Sequence, residues 1–291
     1  MLFVRVVVSE LMSRLKIIVL SAMLGLAACQ SEPQDTIAIT AHTSIADMEL
    51  RATSDLLAPA PIVRATFVPN NVASWVGHII MIDEKGDILR ATTESKVTPI
   101  TTGDFDDVIG LNRPNKAGAF FALTKDGELR AFIEADNDGN FKPITTSQTE
   151  LPIAQFCQSA VAYEEVIWTL SDKGKPVAYS IEFFDESSVS LTQLANKDSG
   201  GACEPLTVEA GGPALSIQAG SSYLSIGDMD AEMINGLSIA GLKTPRFATI
   251  TNENMGSVFA DGLLLVADKE TGRLVLIARG YLLSALKEAH N

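Results

Sequence analysis

Apolar and polar positions fall into a recurring block pattern along most of this chain. An apolar run is followed by a short turn rich in Asp, Lys and Gly, and then by a second apolar or alternating run. His78-Ile79-Ile80-Met81-Ile82 precedes Asp83-Glu84-Lys85-Gly86, and Ala119-Phe120-Phe121-Ala122-Leu123 precedes Thr124-Lys125-Asp126-Gly127. Val166-Ile167-Trp168-Thr169-Leu170 precedes Ser171-Asp172-Lys173-Gly174, and Leu263-Leu264-Leu265-Val266-Ala267 precedes Asp268-Lys269-Glu270-Thr271-Gly272. Each block predicts a β-hairpin, because short apolar runs bounded by turn residues fit strands and Gly supplies the positive φ of tight turns. The turn glycines are separated by 41, 47 and 98 residues. A weaker copy, Tyr223 to Ile226 with turn Gly227 to Asp230 and a strand from Met233 to Ile239, fills the long gap. Such spacing predicts an all-β fold, a β-propeller of five or six four-stranded blades. A sixth blade would combine Ile62 to Val68 with the C-terminus. A β-sandwich is the runner-up. The only helical segment expected is Leu282 to Ala289.

The N-terminal pattern differs. Arg14 and Lys16 precede an apolar stretch from Ile17 to Leu26, followed by Ala27, Ala28 and Cys29. A basic region, a short apolar region and small residues form the layout of an export signal, and the apolar run is shorter than the roughly 20 residues that span a bilayer. Met12 is a better start for this signal than Met1. Leu26-Ala27-Ala28-Cys29 resembles the lipobox of bacterial lipoproteins, in which the cysteine is lipidated and becomes the new N-terminus; an ordinary cleavage site with a coincidental cysteine is the alternative. With Gln30 after it, the resemblance implies an outer-membrane anchor facing the periplasm. The expected organisation is a signal peptide over 1–28, a lipid-attached tether over 29–58 and a propeller domain over 59–291. The tether is rich in Ser, Thr, Pro, Gln and Asp, although Ile37-Ala38-Ile39 has strand character.

Composition narrows the function. The 291 residues carry 22 basic and 36 acidic side chains, a formal charge of −14, and removal of 1–28 takes the balance to −16. That surface repels nucleic acid and anionic lipid, and is compatible with cations or with simple solubility. With Cys29 lipidated, Cys157 and Cys203 remain; they are either a disulfide in an oxidising compartment or two buried thiols. Of three histidines, His42 lies in the tether, His290 is penultimate and His78 opens a strand. No Gly-x-Ser-x-Gly elbow is present, which argues against a Ser-His-Asp hydrolase. Trp75 and Trp168 read as core residues. Asp136-Asn137-Asp138-Gly139-Asn140 reads as a polar turn, since a calcium loop in that register would end at Thr145 instead of Glu. Asp104, Asp106 and Asp107 form an acidic cluster expected in a loop between blades.

From Trp75 to about Ile250, the order of these segments resembles that of β-propeller phytases, especially their degenerate N-terminal domains. The similar stretches are Gly77 to Gly86, Pro152-Ile153-Ala154-Gln155-Phe156-Cys157, Val166 to Leu170, and Tyr179-Ser180-Ile181-Glu182. The resemblance implies six blades and carboxylates holding Ca²⁺ beside a phosphate. The family's Asp-Asp-Pro-Ala segment corresponds to Thr53 through Ala60, where only Asp55 is acidic. Its Glu-Gly-Phe element corresponds to Gln155-Phe156-Cys157, and Phe247-Ala248-Thr249 offers no late Glu-Gly-Leu. Asp228, Asp230 and Glu232 are the remaining metal candidates, against a plain solvated hairpin. The expected function is a lipid-anchored, phytase-like but non-catalytic module that binds a protein or small ligand. The alternative is a calcium-dependent phytase, a phosphoric monoester hydrolase; a third possibility is a structural assembly subunit.

Overall fold

The structure is a computed structural model. It describes residues 48–69, 77–135, 139–147, 151–157, 162–163, 166–184, 186–195, 203, 214–217, 224–227 and 235–289. The described chain is all-β but for one C-terminal helix and a single 3-10 turn. None of its helices is long and apolar enough to cross a membrane.

Two short strands come first, β1 (Met48–Leu50) and β2 (Ser54–Leu57). Strands β3 (Ile62–Val68), β4 (His78–Asp83), β5 (Ile88–Ala91) and β6 (Thr98–Thr101) then form an antiparallel meander. The same pattern recurs in β7 (Phe105–Asn112), β8 (Ala119–Thr124), β9 (Leu129–Glu134) and β10 (Phe141–Thr146). A third group contains β11 (Gln155–Phe156), β13 (Val166–Leu170), β14 (Pro176–Phe184) and β15 (Ser188–Leu194), with β12 (Ala162–Tyr163) paired in parallel to β7 instead. Two residues of β10 pair in parallel with β15, merging the second and third groups into a nine-stranded sheet. Its edge strands β11 and β12 both pack on β7, so this sheet nearly closes on itself.

The last two groups borrow strands from the N-terminal end. β16 (Ala214–Ile217), β17 (Leu224–Gly227) and β18 (Asn235–Ile239) are completed by β1, parallel to β18. β19 (Pro245–Thr251), β20 (Leu263–Asp268) and β21 (Arg273–Ala278) are completed by β2, antiparallel to β21. The helix α1 (Arg279–Ala289) follows and buries Leu282 in the core. Residues 29–58, read as a tether, therefore contain two paired strands, Met48–Leu50 and Ser54–Leu57. Ile62–Val68 does not join the C-terminus in a sixth group; it is the first strand of the first meander.

Period-two alternation explains why the strands read as unbroken apolar runs: both faces are covered. In β4, Ile79 and Met81 enter the core shared with β19, β20 and β21, whereas Ile80 and Ile82 enter the core shared with β7, β8 and β9. In β8, Phe120 and Ala122 face the first meander, while Phe121 and Leu123 face Ile167, Tyr179 and Leu191 of the third group. In β20, Leu263 and Leu265 face the first meander, and Leu264 and Val266 face Leu224, Leu237 and Leu282. The core thus consists of layers between neighbouring sheets. Phe120 stacks on Phe132 with centroids 4.7 Å apart, and each such fully buried side chain stabilises by about 1.5–3 kcal/mol.

The predicted hairpin turns at 86, 127 and 174 share one construction. Asp83 Oδ1, Thr124 Oγ1 and Ser171 Oγ each accept the backbone N–H four residues on, from Asp87, Glu128 and Lys175, at 3.0, 2.9 and 3.2 Å. Gly86, Gly127 and Gly174 adopt φ of 91°, 82° and 67°. Gly272 serves a different end: a Cβ there would lie 2.1 Å from the Ala58 carbonyl oxygen, so Gly lets the N-terminal segment approach β21. Trp168 is half-buried, not a core residue; its neighbours Ile167 and Thr169 take the two interior positions.

Candidate functional site

The first strands of three groups carry the same irregularity. Ile62 pairs with Asp83 and Arg64 with Ile82, so Val63 is skipped. Phe105 pairs with Thr124 and Asp107 with Leu123, so Asp106 is skipped. Pro245 pairs with Asp268 and Phe247 with Ala267, so Arg246 is skipped. Each skip is a β-bulge opposite the last residue of the following strand, and bulges re-aim side chains, often beside binding sites. Since β3 packs against both β7 and β19, the three bulges sit together at one end of these strands.

Val63, Asp106 and Arg246 all line one open cleft of about 400 Å³. Arg64 and Lys125 add two further cations, and Asp83 and Glu84 contribute carboxylates from the first hairpin turn. Phe105, which is buried, gives the cleft an aromatic floor. The charges differ in how far they are already satisfied. Lys125 Nζ donates to Asp104 Oδ1 at 2.5 Å; this bond, then the Asp104 charge and more distantly Asp106, raise its pKa. Arg64 Nε stands 3.7 Å from Asp107 Oδ1, an ion pair without a hydrogen bond, and its Nη1 donates to its own neighbour's carbonyl. Asp83 Oδ1 receives the N–H groups of Lys85 and Asp87. Arg246 is exposed and makes no ion pair among the described residues.

The sequence-predicted positions fare differently. The acidic cluster does not stay in a loop: Asp106 and Asp107 belong to β7, and only Asp104 precedes it. Asp107 is buried and accepts the Phe156 N–H at 2.7 Å. Cys157 and Cys203 are joined by a disulfide, with Cα atoms 4.6 Å apart. His78 is buried with Nε2 3.1 Å from Glu134 Oε1, a contact joining the first two meanders. Gly139 N–H donates to the same oxygen. Cys29, Asp228, Asp230, Glu232, His42, Trp75, His290 and residues 136–138 lie outside the described residues. Where the phytase pattern needs a carboxylate, the chain presents exposed Gln155, buried Phe156 and the disulfide-bonded Cys157, a donor set that does not fit Ca²⁺. Among the described residues no three His, Cys, Asp or Glu side chains are grouped to hold a metal ion.

The bulged cleft is not legible in the sequence, because a bulge is a matter of register between two strands. The three first strands contain Ile62-Val63-Arg64, Phe105-Asp106-Asp107 and Pro245-Arg246-Phe247, with no shared residue at the skipped position. No protein-family model matches this chain, and a comparison with curated proteins returns no match. Fold and site together define an all-β protein with layered sheets and a charged cleft at the bulged ends of three first strands.

Proposed function

We propose that this chain is an exported, lipid-anchored β-propeller of five blades that works in the cell envelope as a binding module, with the bulged cleft as its ligand site. The observation that carries the architecture is that β4, β8 and β20 each send alternate side chains into two different cores. Sheets packed on both faces, with first strands in contact, fit blades arranged around an axis. Borrowed strands β1 and β2 fit a ring closed by the N-terminal end.

The anchor rests on Leu26-Ala27-Ala28-Cys29, and Gln30 after it supports an outer-membrane location facing the periplasm. The disulfide suits that oxidising compartment. The likeness to degenerate propeller phytases supports binding without turnover, and the calcium-dependent phosphohydrolase reading stands second because Gln155-Phe156-Cys157 brings no carboxylate. A phosphate-release assay on phytate tests this order. The protein is expected to release phosphate at background rate with or without Ca²⁺. Robust calcium-dependent release that falls when Asp228 and Asp230 become Asn would replace the binding reading with the hydrolase.

A further inference from the structure

We propose that the bulged cleft takes a small zwitterion, an amino acid or short peptide whose carboxylate meets Arg246 and Arg64 and whose ammonium meets Asp106. The proposal rests on the binding function above and names its ligand class.

Charge balance is the first argument. The cleft sets the cations Arg64, Lys125 and Arg246 against the carboxylates Asp83, Glu84 and Asp106. A polyanion such as an inositol phosphate gains from three groups and is repelled by three, and a polycation meets the same opposition. A molecule carrying one charge of each sign, suitably separated, meets only partners.

Availability is the second. Lys125 is held by Asp104, and Asp83 accepts two backbone N–H groups. Arg246 and Asp106 are both exposed, carry opposite signs and make no hydrogen bond among the described residues. They come from two different bulges, on β19 and β7. Arg64, without a hydrogen bond to Asp107, has donors left for a second carboxylate oxygen. Guanidinium groups match carboxylates through paired N–H donors.

Size and floor are the third. About 400 Å³ lies within the range of small-molecule sites, and Phe105 with Val63 offers an apolar surface to an aliphatic side chain.

Titration calorimetry on the full chain in detergent tests this with four probes: alanine, alanyl-alanine, its N-acetyl derivative and its C-terminal amide. Saturable binding is expected for the unmodified compounds, with acetylation or amidation weakening it by about tenfold or more. Arg246→Gln should weaken binding and remove the sensitivity to amidation, and Asp106→Asn should remove the sensitivity to acetylation. Both residues are exposed, and an unchanged melting temperature will show that the variants fold. Tighter binding of alanine than of alanyl-alanine assigns the site to free amino acids; tighter binding of the dipeptide assigns it to peptides. The proposal is overturned if the blocked compounds bind as well as the free ones, if Arg246→Gln binds normally, or if neither zwitterion binds below about 10 mM. Inositol hexakisphosphate bound in an Arg246-dependent way would overturn the zwitterion while leaving the binding function standing. Failure of every probe would remove both.

Discussion

The buried carboxylate of Asp107 accepts the backbone N–H of Phe156 at 2.7 Å, tying β7 to β11 across two strand groups. Its other oxygen accepts the N–H of Val108 at 2.9 Å and faces Arg64. Asp107 is therefore a structural acid directly behind the cleft. Asp107→Asn leaves one of the two N–H groups facing the amide NH2, which donates, instead of a carboxylate oxygen, and an unsatisfied buried donor costs about 1–3 kcal/mol. The expected result is a lower urea midpoint with an unchanged slope. An unaltered midpoint would show that the bond contributes nothing net.

Gly110 lies at a close approach between β3 and β7. A Cβ there would be 1.9 Å from the Phe67 carbonyl oxygen, while the Gly110 N–H donates to Thr66 Oγ1 at 2.8 Å. Gly110→Ala must force two buried strands apart and is expected to destabilise by about 3 kcal/mol or more. Gly127→Ala meets no atom within 4 Å and carries only the strain of its positive φ, about 1–2 kcal/mol. Thermal melts of the two variants should rank them in that order; the reverse ranking would mean that the strand contact is slack.

The disulfide between Cys157 and Cys203 closes a separation of 46 residues. The chain-entropy model gives about 4 kcal/mol for a loop of this size. Reducing agent is expected to lower the melting temperature by several degrees and to release two reactive thiols. A melt unaffected by complete reduction would contradict a stabilising role.

Much of this architecture is legible in the sequence. Apolar runs such as Ile79 to Ile82 mark strands covered on both faces, and Gly86, Gly127 and Gly174 mark their turns at the right residues. The C-terminal helix is legible too, beginning three residues before Leu282. What escapes is non-local. Met48–Leu50 and Ser54–Leu57 are too short and polar to announce strands, and they exist only because β18 and β21, about 190 and about 220 residues on, offer free edges. Arg64, Asp106 and Arg246 look like scattered surface charges until the register of three strand pairs brings them to one cleft. Asp107 looks like its neighbours Asp104 and Asp106, yet strand alternation buries it.

Asp268 gives the fold a pH-dependent component. Burial pushes its pKa up, but N–H groups of Glu270, Thr271 and Lys243 and the Thr271 hydroxyl donate to it and bring the net shift below the usual carboxylate range. A folded pKa below the unfolded value means that ionised Asp268 stabilises above the ordinary carboxylate pKa of about 4. That contribution is lost as pH falls through the lower folded value. Asp268→Asn should therefore be less stable than the parent near neutrality, with the difference closing under acid. A difference that persists unchanged into acid would assign the loss to packing and not to charge.

Processing at the N-terminus is open to a direct check. The run Leu26-Ala27-Ala28-Cys29 predicts incorporation of radioactive palmitate in a bacterial host and its loss in Cys29→Ser. Undiminished labelling of that variant would remove the anchor.

The measurement closest to the central claim is backbone hydrogen exchange of the full chain with and without saturating alanyl-alanine. If the bulged ends of three first strands form one ligand site, exchange should slow together around residues 62–64, 105–107 and 245–247. Protection confined to one of these segments, or appearing only around Arg113 to Ala117 beyond the other end of β7, would contradict it.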